Sequence, residues 1–269
     1  MPVAMLPDRG VVEVSGEDRV AFLQGLVSND VSRAAPGAAV WAALLTPQGK
    51  WLADFFVVAD GERLLLEVEA AQAAMTVQKL SRFRLRSKVA LREVPLAVAA
   101  GWGDDPRPAG LSYPDPRLPE AGWRALVEAP LPGDGDYDAH RLALGLPDGS
   151  RDLEAEQSIL LEAGFDELHG VSWTKGCYMG QELTARTKYR GLVKRRLAPV
   201  EIAGDAPPRG TPITLEGAVV GEMRSSHGAR GLAVLRLPAL RDGTVLEAGG
   251  ARLAVRIPGW MRLPEAADA

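Results

Sequence analysis

Residues 39–68 read AVWAALLTPQGKWLADFFVVADGERLLLEV. Three apolar runs make up this stretch, and the short segments TPQG and ADGE separate them. Proline, glycine and aspartate at such points are typical of tight turns between antiparallel strands. The stretch therefore predicts three antiparallel strands, at 39–45, 51–58 and 64–68.

Helices interrupt this predicted sheet on both sides. Val12 and Val14 alternate with polar residues, as in a strand, and Ser15 to Asp18 can cap the helix that follows. The apolar spacing predicts a second helix over roughly 70–84 and then a strand at 88–94. Such an order of elements favours the α+β class over a parallel, doubly wound sheet.

The rest of the chain predicts a loop, two more elements and a β-rich end. Residues 101–122 are rich in glycine and proline, which predicts a surface loop, whereas 123–128 predicts a strand and 136–144 a short helix. After Arg195, short β runs alternate with glycine and proline turns, as in a small barrel or sandwich. We predict an α+β region at 1–190 and a β-barrel at 191–269.

The composition narrows the class of protein. The 269 residues are 46% hydrophobic and 25% charged, as in a globular protein, and a net charge of −4 gives no overall basic field for DNA.

No apolar run of about 18 residues could span a membrane, and the start MPVAMLPDRG lacks the features of a signal or transit peptide. The sequence predicts a cytoplasmic protein that binds neither DNA nor a membrane. One cysteine and three separated histidines predict no stably bound metal.

The single cysteine stands in the segment that is richest in chemistry. Lys175-Gly176-Cys177-Tyr178-Met179-Gly180-Gln181-Glu182 places a thiol between two glycines, beside a cation and an aromatic ring. The glycines let the backbone approach a ligand closely, and a nearby cation favours the reactive thiolate. The alternative is that Cys177 is a small, buried hydrophobic residue, as most free cysteines are.

The same segment carries a family resemblance. It resembles the K-G-C-Y/F-x-G-Q-E signature of the YgfZ family, which is related to the glycine-cleavage T-protein, an aminomethyltransferase. Residues 22–31, FLQGLVSNDV, are similar to a second family segment, and Leu45 to Lys50 with Asp54 to a third. The resemblance implies a ring of two interlocked ferredoxin-like units and a C-terminal β-barrel, around a channel that binds tetrahydrofolate or a derivative.

The resemblance also implies roles for individual residues. Glu162 lies in a segment, LEAG, that resembles the one with which T-proteins hold the pterin through a carboxylate, although it could be an ordinary solvated helix acid. Cys177, Lys175 and Asp54 are the candidates for chemistry. The remaining candidates for folate binding are Tyr178, Gln181, Glu182, Arg186, Arg190, Gln24, Asn29 and Asp30.

Two of these groups have a plainer interpretation. Arg186 and Arg190 belong to a basic stretch that continues to Arg196, and most of that stretch fits a solvated linker. Asn29 and Asp30 fit a turn at the end of a helix equally well.

Three functions remain open from the sequence. The first, implied by the resemblance, is folate-dependent assembly or repair of iron–sulfur clusters in client enzymes, including radical-SAM enzymes that modify tRNA. The second is a folate-dependent one-carbon transferase. Ala53 stands where T-proteins have one of two paired acids, which argues against a glycine-cleavage enzyme. The third is a noncatalytic module that docks a client through the basic stretch.

Overall fold

The computed structural model describes residues 2–104 and 106–263, and the chain within it divides into two compact units. The first unit comprises 1–137 and 168–181, and the second comprises 138–167 and 182–269. The chain therefore leaves the first unit, returns to it and leaves it again. The last six residues of the predicted barrel, 264–269, lie outside the described residues.

Two antiparallel sheets build the first unit. The five-stranded sheet has the order β3-β4-β5-β2-β6, and the four-stranded sheet has the order β1-β7-β9-β8. The strands are β1 Val3–Met5, β2 Arg9–Ser15, β3 Val40–Leu45, β4 Trp51–Asp60, β5 Arg63–Glu69, β6 Ala90–Val94, β7 Ala97–Gly101, β8 Ser112–Pro114 and β9 Trp123–Val127. Helices α1 Arg19–Gln24 and α2 Ala73–Ser81 belong to the same unit.

An apolar core lies between the five-stranded sheet and these helices. Leu23 of α1 and Leu80 of α2 are fully buried in one cluster with Phe55 and Leu66 of the central strands. Every residue of β3 is buried, as its unbroken apolar run predicts. The predicted helix at 70–84 is observed as a 3₁₀ turn at Ala70–Gln72 followed by α2.

Buried charges join the two sheets of the first unit. Arg124 of β9 donates to both carboxylate oxygens of Glu67 of β5, and Arg9 of β2 donates to the same carboxylate at 3.0 Å. The hydroxyl of Tyr113 also donates to Glu67. A buried carboxylate with this many donors is well compensated for its loss of water, so the sheets are held together by a specific polar network.

The segment predicted as a surface loop at 101–122 is more ordered than its glycines and prolines suggest. It contains strand β8 and a 3₁₀ turn at Pro119–Ala121, and Tyr113, Asp115 and Arg117 in it are buried. The reason is that these side chains find polar partners inside the unit, with Arg117 donating to Asp115 at 2.7 Å and Tyr113 bonded to Glu67. The local sequence gives no sign of these hydrogen-bond partners.

A closed barrel dominates the second unit. Its strands pair in the order β10-β13-β12-β11-β14-β15, with β15 pairing back to β10. They are β10 Arg195–Ala203, β11 Pro212–Leu215, β12 Ala218–His227, β13 Arg230–Arg236, β14 Val245–Ala248 and β15 Ala251–Val255. Helices α3 Tyr137–Leu144 and α4 Gln181–Tyr189 begin where the chain passes into this unit. The α+β class with a C-terminal barrel is confirmed. Among the described residues, no helix has the length and apolar character needed to cross a membrane.

Candidate functional site

Cys177 lies on an exposed loop in the second stretch of the first unit, shortly before helix α4. Gly176 has a φ of +96°, and a Cβ added there would meet no atom within 4 Å. Gly180 has a φ of +79°, and a Cβ there would lie 2.4 Å from the carbonyl oxygen of Thr46. The loop is thus open beside the thiol and packed tightly against the β3–β4 turn at its far end.

Lys175 fixes the near end of the loop. Its Nζ donates to the carbonyl oxygens of Gln24 at 2.7 Å and Val27 at 2.6 Å, and it lies 5.1 Å from the centre of the Tyr178 ring. Burial lowers the pKa of Lys175 to about 8, and the carboxylate of Asp30 acts in the opposite direction. The amide of Met179 donates to Gly25 as well, so the loop is anchored to the end of α1 on both sides of the cysteine.

The candidate residues at 24–30 belong to a polar network around this anchor. Gln24 donates to Asp30 at 2.9 Å, and its amide oxygen accepts from the backbone of Val31. Asn29 donates to the carbonyl oxygens of Trp41 and His169 at 2.8 and 2.7 Å. A hydrogen bond from Ser32 holds the pKa of Asp30 below its ordinary value. The structure therefore brings Gln24, Asn29 and Asp30 together with Lys175, in contacts that tie the two stretches of the first unit to each other.

Asp54 is buried on β4 and accepts hydrogen bonds from two tryptophans. Trp41 Nε1 lies 3.0 Å from one carboxylate oxygen, and Trp51 Nε1 lies 3.1 Å from the other. Neither indole is among the site residues that the sequence predicts. The antiparallel register of β3 and β4 could have indicated that Trp41 contacts Asp54. Trp41 pairs with Phe56, so it lies diagonal to Asp54 on one face of the sheet.

The other residues of the signature differ in exposure. Tyr178 is buried, and its backbone N–H donates to the side chain of Gln181 at 2.9 Å. Glu182 is exposed on α4 and forms a 3.9 Å ion pair with Arg186, one turn further along. Arg190 is exposed just after the same helix. These arginines are accessible to an anionic ligand, whereas Tyr178 supports the loop from inside.

Glu162 lies in the second unit, in a 3₁₀ turn at Leu160–Ala163 that ends with Gly164 in the left-handed conformation. Its side chain is only 13% exposed, and Arg195 Nε donates to one carboxylate oxygen at 2.9 Å. The side chain of Arg195 is 44% exposed. Arg195 belongs to the basic stretch that the sequence predicts to be mostly a solvated linker, but in the structure it is the first residue of β10 and the partner of Glu162.

Metal ligands do not cluster in the described part of the chain. Residues 2–104 and 106–263 contain no group of three or more histidine, cysteine, aspartate or glutamate side chains placed to hold a metal ion. Cys177 is the one thiol of the chain.

The fold and the thiol loop together define the class of protein. The solved structure of the glycine cleavage system aminomethyltransferase T from Bartonella henselae matches the chain with a TM-score of 0.78, covering 96% of this chain and 86% of that one at 15% identity. The protein thus has the T-protein fold. Residues 194–263 match the family model described as the CAF17 C-terminal beta-barrel domain.

Comparison with known sequences narrows the class to one family. The human iron-sulfur cluster assembly factor IBA57 is 33% identical over 95% of this chain and 84% of its own length. The Mycosarcoma maydis IBA57 homolog is 38% identical over 77% of this chain, which spans 59% of that relative. The chain belongs to the IBA57 family of iron–sulfur cluster assembly factors.

The same relatives overturn one prediction. The sequence predicts a cytoplasmic protein, but the human and fungal relatives are named as mitochondrial proteins. The prediction of a cytoplasmic location is therefore wrong.

Proposed function

We propose that this protein assists the assembly or repair of iron–sulfur clusters in client enzymes, with Cys177 as a transient ligand of the transferred cluster. The observation that carries the proposal is the exposed Cys177 thiol on a loop whose two sides are anchored by Lys175 and Met179. The names of the IBA57 relatives support the iron–sulfur role. The match of KGCYMGQE to the YgfZ signature supports clients that include radical-SAM enzymes of tRNA modification.

The chemistry of the cluster requires a shared site. An iron–sulfur cluster takes about four thiolate ligands, and this chain supplies one. An anchored, exposed thiol can replace one ligand of a cluster held by a partner, and it can release the cluster again because it holds only that one bond. This is the behaviour expected of a transfer factor rather than of a stable cluster protein.

Tetrahydrofolate is the cofactor that we propose, and the residues of the second unit fit its pterin. A pterin presents adjacent N–H donors, which a carboxylate accepts well when water is excluded. Glu162 provides a largely buried carboxylate, and Arg195 holds it through a single oxygen. Arg186 and Arg190 provide exposed cations for the glutamate tail. When bound, tetrahydrofolate would supply a carrier for one-carbon groups.

The transferase alternative has less support from the site. Asp54, the acid that remains where T-proteins have a pair, accepts a hydrogen bond from a tryptophan on each carboxylate oxygen. A general base must come within hydrogen-bond distance of its substrate, and Asp54 is only 4% exposed. Aminomethyl transfer is accordingly not part of the proposal.

Complementation tests the role of the thiol. In a strain that lacks this protein, we expect cluster-dependent enzymes to lose activity, and we expect the wild-type gene to restore it. Cys177→Ser should fail to do so. Thr174→Ala changes an exposed residue of the same loop and is the matched control, which should restore activity fully. Full rescue by Cys177→Ser would remove the thiol from the mechanism.

Calorimetry under anaerobic conditions tests the cofactor separately. We expect tetrahydrofolate to bind the wild type and Cys177→Ala, and binding to be lost in Glu162→Gln. The Glu162–Arg195 pair is partly exposed, so its loss should cost less than about 1 kcal/mol of stability. Glu201→Gln breaks a more exposed pair with Arg256 and should bind normally. Failure of the wild type to bind would refute the cofactor while leaving the thiol experiment intact.

A further inference from the structure

A second surface of the first unit combines exposed apolar side chains with unneutralised cations. It follows helix α2, where residues 81–88 read SRFRLRSK. Phe83 is 39% exposed and Leu85 is 90% exposed, and both rank among the most exposed large hydrophobic residues described. We call residues 82–88 the arginine loop.

The arginine loop forms one wall of a groove of about 830 Å³, and helix α1 forms the other. The lining side chains include Asp18, Ala21, Phe22, Phe83, Leu85 and Arg86. Val20, on the same helix, is also an exposed apolar residue. The groove therefore offers several neighbouring apolar side chains to a partner.

The charges around the groove are predominantly positive. Lys88 is neutralised by Glu17 at 2.7 Å, and the carboxylate of Asp18 accepts from the backbone of Lys88. Within residues 2–104 and 106–263, Arg82 and Arg86 form no ion pair, and Arg84 makes only a long hydrogen bond to a carbonyl oxygen. Three arginines are thus available to acidic groups from outside.

The backbone of the arginine loop is strained at its most exposed residue. Leu85 has a φ of +41°, in the left-handed region that leucine rarely adopts. An apolar residue that is exposed and strained contributes little to folding, and residues of this kind concentrate at binding surfaces.

We propose that this groove binds an acidic amphipathic helix of a partner protein. Phe83, Leu85 and the apolar residues of α1 would receive its apolar face, and Arg82, Arg84 and Arg86 would pair with acidic residues on its flanks. The charge pattern selects this occupant, because a basic or neutral helix would leave the three arginines unpaired. The site is separate in sequence from the Cys177 loop, and its test does not depend on cluster transfer or folate.

Fluorescence anisotropy with synthetic peptides tests the proposal on the full-length protein. The probe is a labelled amphipathic helix of leucine and glutamate, about five turns long. One control peptide replaces glutamate by lysine, and another has the same composition with its leucines dispersed around the helix. We expect saturable binding of the acidic amphipathic peptide and at least about tenfold weaker binding of both controls.

Variants locate the binding site. Arg82→Glu with Arg86→Glu should weaken peptide binding by about tenfold or more, and Leu85→Asn by about threefold or more. Arg236→Glu with Arg241→Glu makes the same change in net charge at two exposed arginines of the second unit and should leave binding unchanged.

Three results would overturn the proposal. The first is equal binding of the acidic and dispersed peptides, and the second is equal loss in the two double variants. The third is that Arg82 and Arg86 bind anionic phosphatidylserine vesicles or single-stranded RNA, while the protein does not bind the peptide.

Discussion

The ammonium of Lys175 donates a 2.6 Å hydrogen bond to the carbonyl oxygen of Val27, three residues beyond the end of helix α1. This contact fixes the thiol loop to a carbonyl group rather than to a carboxylate. The charge on Lys175 is therefore only partly compensated for its burial, which is why its pKa falls to about 8.

This lowered pKa predicts how stability changes in alkaline solution. The folded protein releases the Lys175 proton near pH 8, whereas the unfolded chain holds it to about 10.5, so the unfolded state binds more protons between these values. The contribution of Lys175 to the free energy of unfolding should rise with pH across this window. Urea denaturation at pH 7.5 and 9.5 measures it. Lys175→Met should lack this rise, and Lys194→Met, at an exposed lysine, is the control.

Gly180 and Gly176 form a natural pair for testing how the loop packs. Both have positive φ, so alanine at either position costs about 1–2 kcal/mol of backbone strain. At Gly180 the added methyl group would also lie 2.4 Å from Thr46, whereas at Gly176 it meets open space. We expect Gly180→Ala to be more destabilising than Gly176→Ala by at least about 1 kcal/mol in thermal or chemical denaturation. Equal losses would show that the loop does not pack on the β3–β4 turn.

Glu67 predicts the response of the first unit to acid. Burial acts to raise its pKa, but the charges of Arg124 and Arg9 and the Tyr113 hydrogen bond outweigh burial and hold the pKa at about 2. Because this is below the ordinary value of 4.5, the network contributes fully above pH 4.5, and its contribution is lost as the pH falls towards 2.

We expect the free energy of unfolding to fall by on the order of 3 kcal/mol across that range from this residue. Glu67→Gln should be destabilised at neutral pH by about 3–5 kcal/mol, because it leaves buried arginines without their counter-charge, and should lose less on acidification. Denaturant titrations from pH 6 to pH 2.5 provide the measurement. An unchanged acid dependence in the variant would exclude Glu67 as its source.

The left-handed backbone of Leu85 predicts that a polar substitution there increases the stability of the protein. Asparagine tolerates the left-handed conformation better than leucine does, so Leu85→Asn should stabilise the protein by about 0.5–1 kcal/mol. Leu192 is also exposed but has a negative φ, and Leu192→Asn should give no such gain. Differential scanning calorimetry of the two variants decides between them. A gain in both would point to the removal of exposed apolar surface instead of strain.

Continuous apolar runs made the main sheet predictable. The stretch 39–68 predicts three strands, and the structure has β3, β4 and β5 there, with turns at 46–50 and 61–62. The pattern succeeds because each of these strands is buried over most of its length, so that the apolar run and the strand coincide.

Polar burial was not predictable from the sequence in the same way. Arg124 and Glu67 are 57 residues apart, and nothing near either residue signals their pairing. Tyr113 lies in a segment of glycines and prolines, yet it is completely buried because its hydroxyl reaches the same carboxylate. Local sequence reports propensity, whereas the burial of a charge depends on a partner brought by the fold.

The candidate site was likewise predictable only in part from the sequence. The sequence singled out Lys175, Cys177 and the two glycines, because their residue types are chemically unusual in so short a span. It could not give the carbonyl groups that hold Lys175, the indoles on Asp54 or the pairing of Glu162 with Arg195, since each of these contacts joins separate elements.

The interrupted path of the chain through the first unit has a consequence for its biosynthesis. The hydroxyl of Ser28 donates to the carbonyl oxygen of Gly170, which a ribosome adds 142 residues later. Until that point a nascent chain can form both sheets, but the Ser28 hydroxyl lacks this acceptor. The segment that closes the unit is the one that carries Cys177. A polypeptide can therefore display its thiol in the working position only after translation has passed the cysteine and the first unit has closed around it.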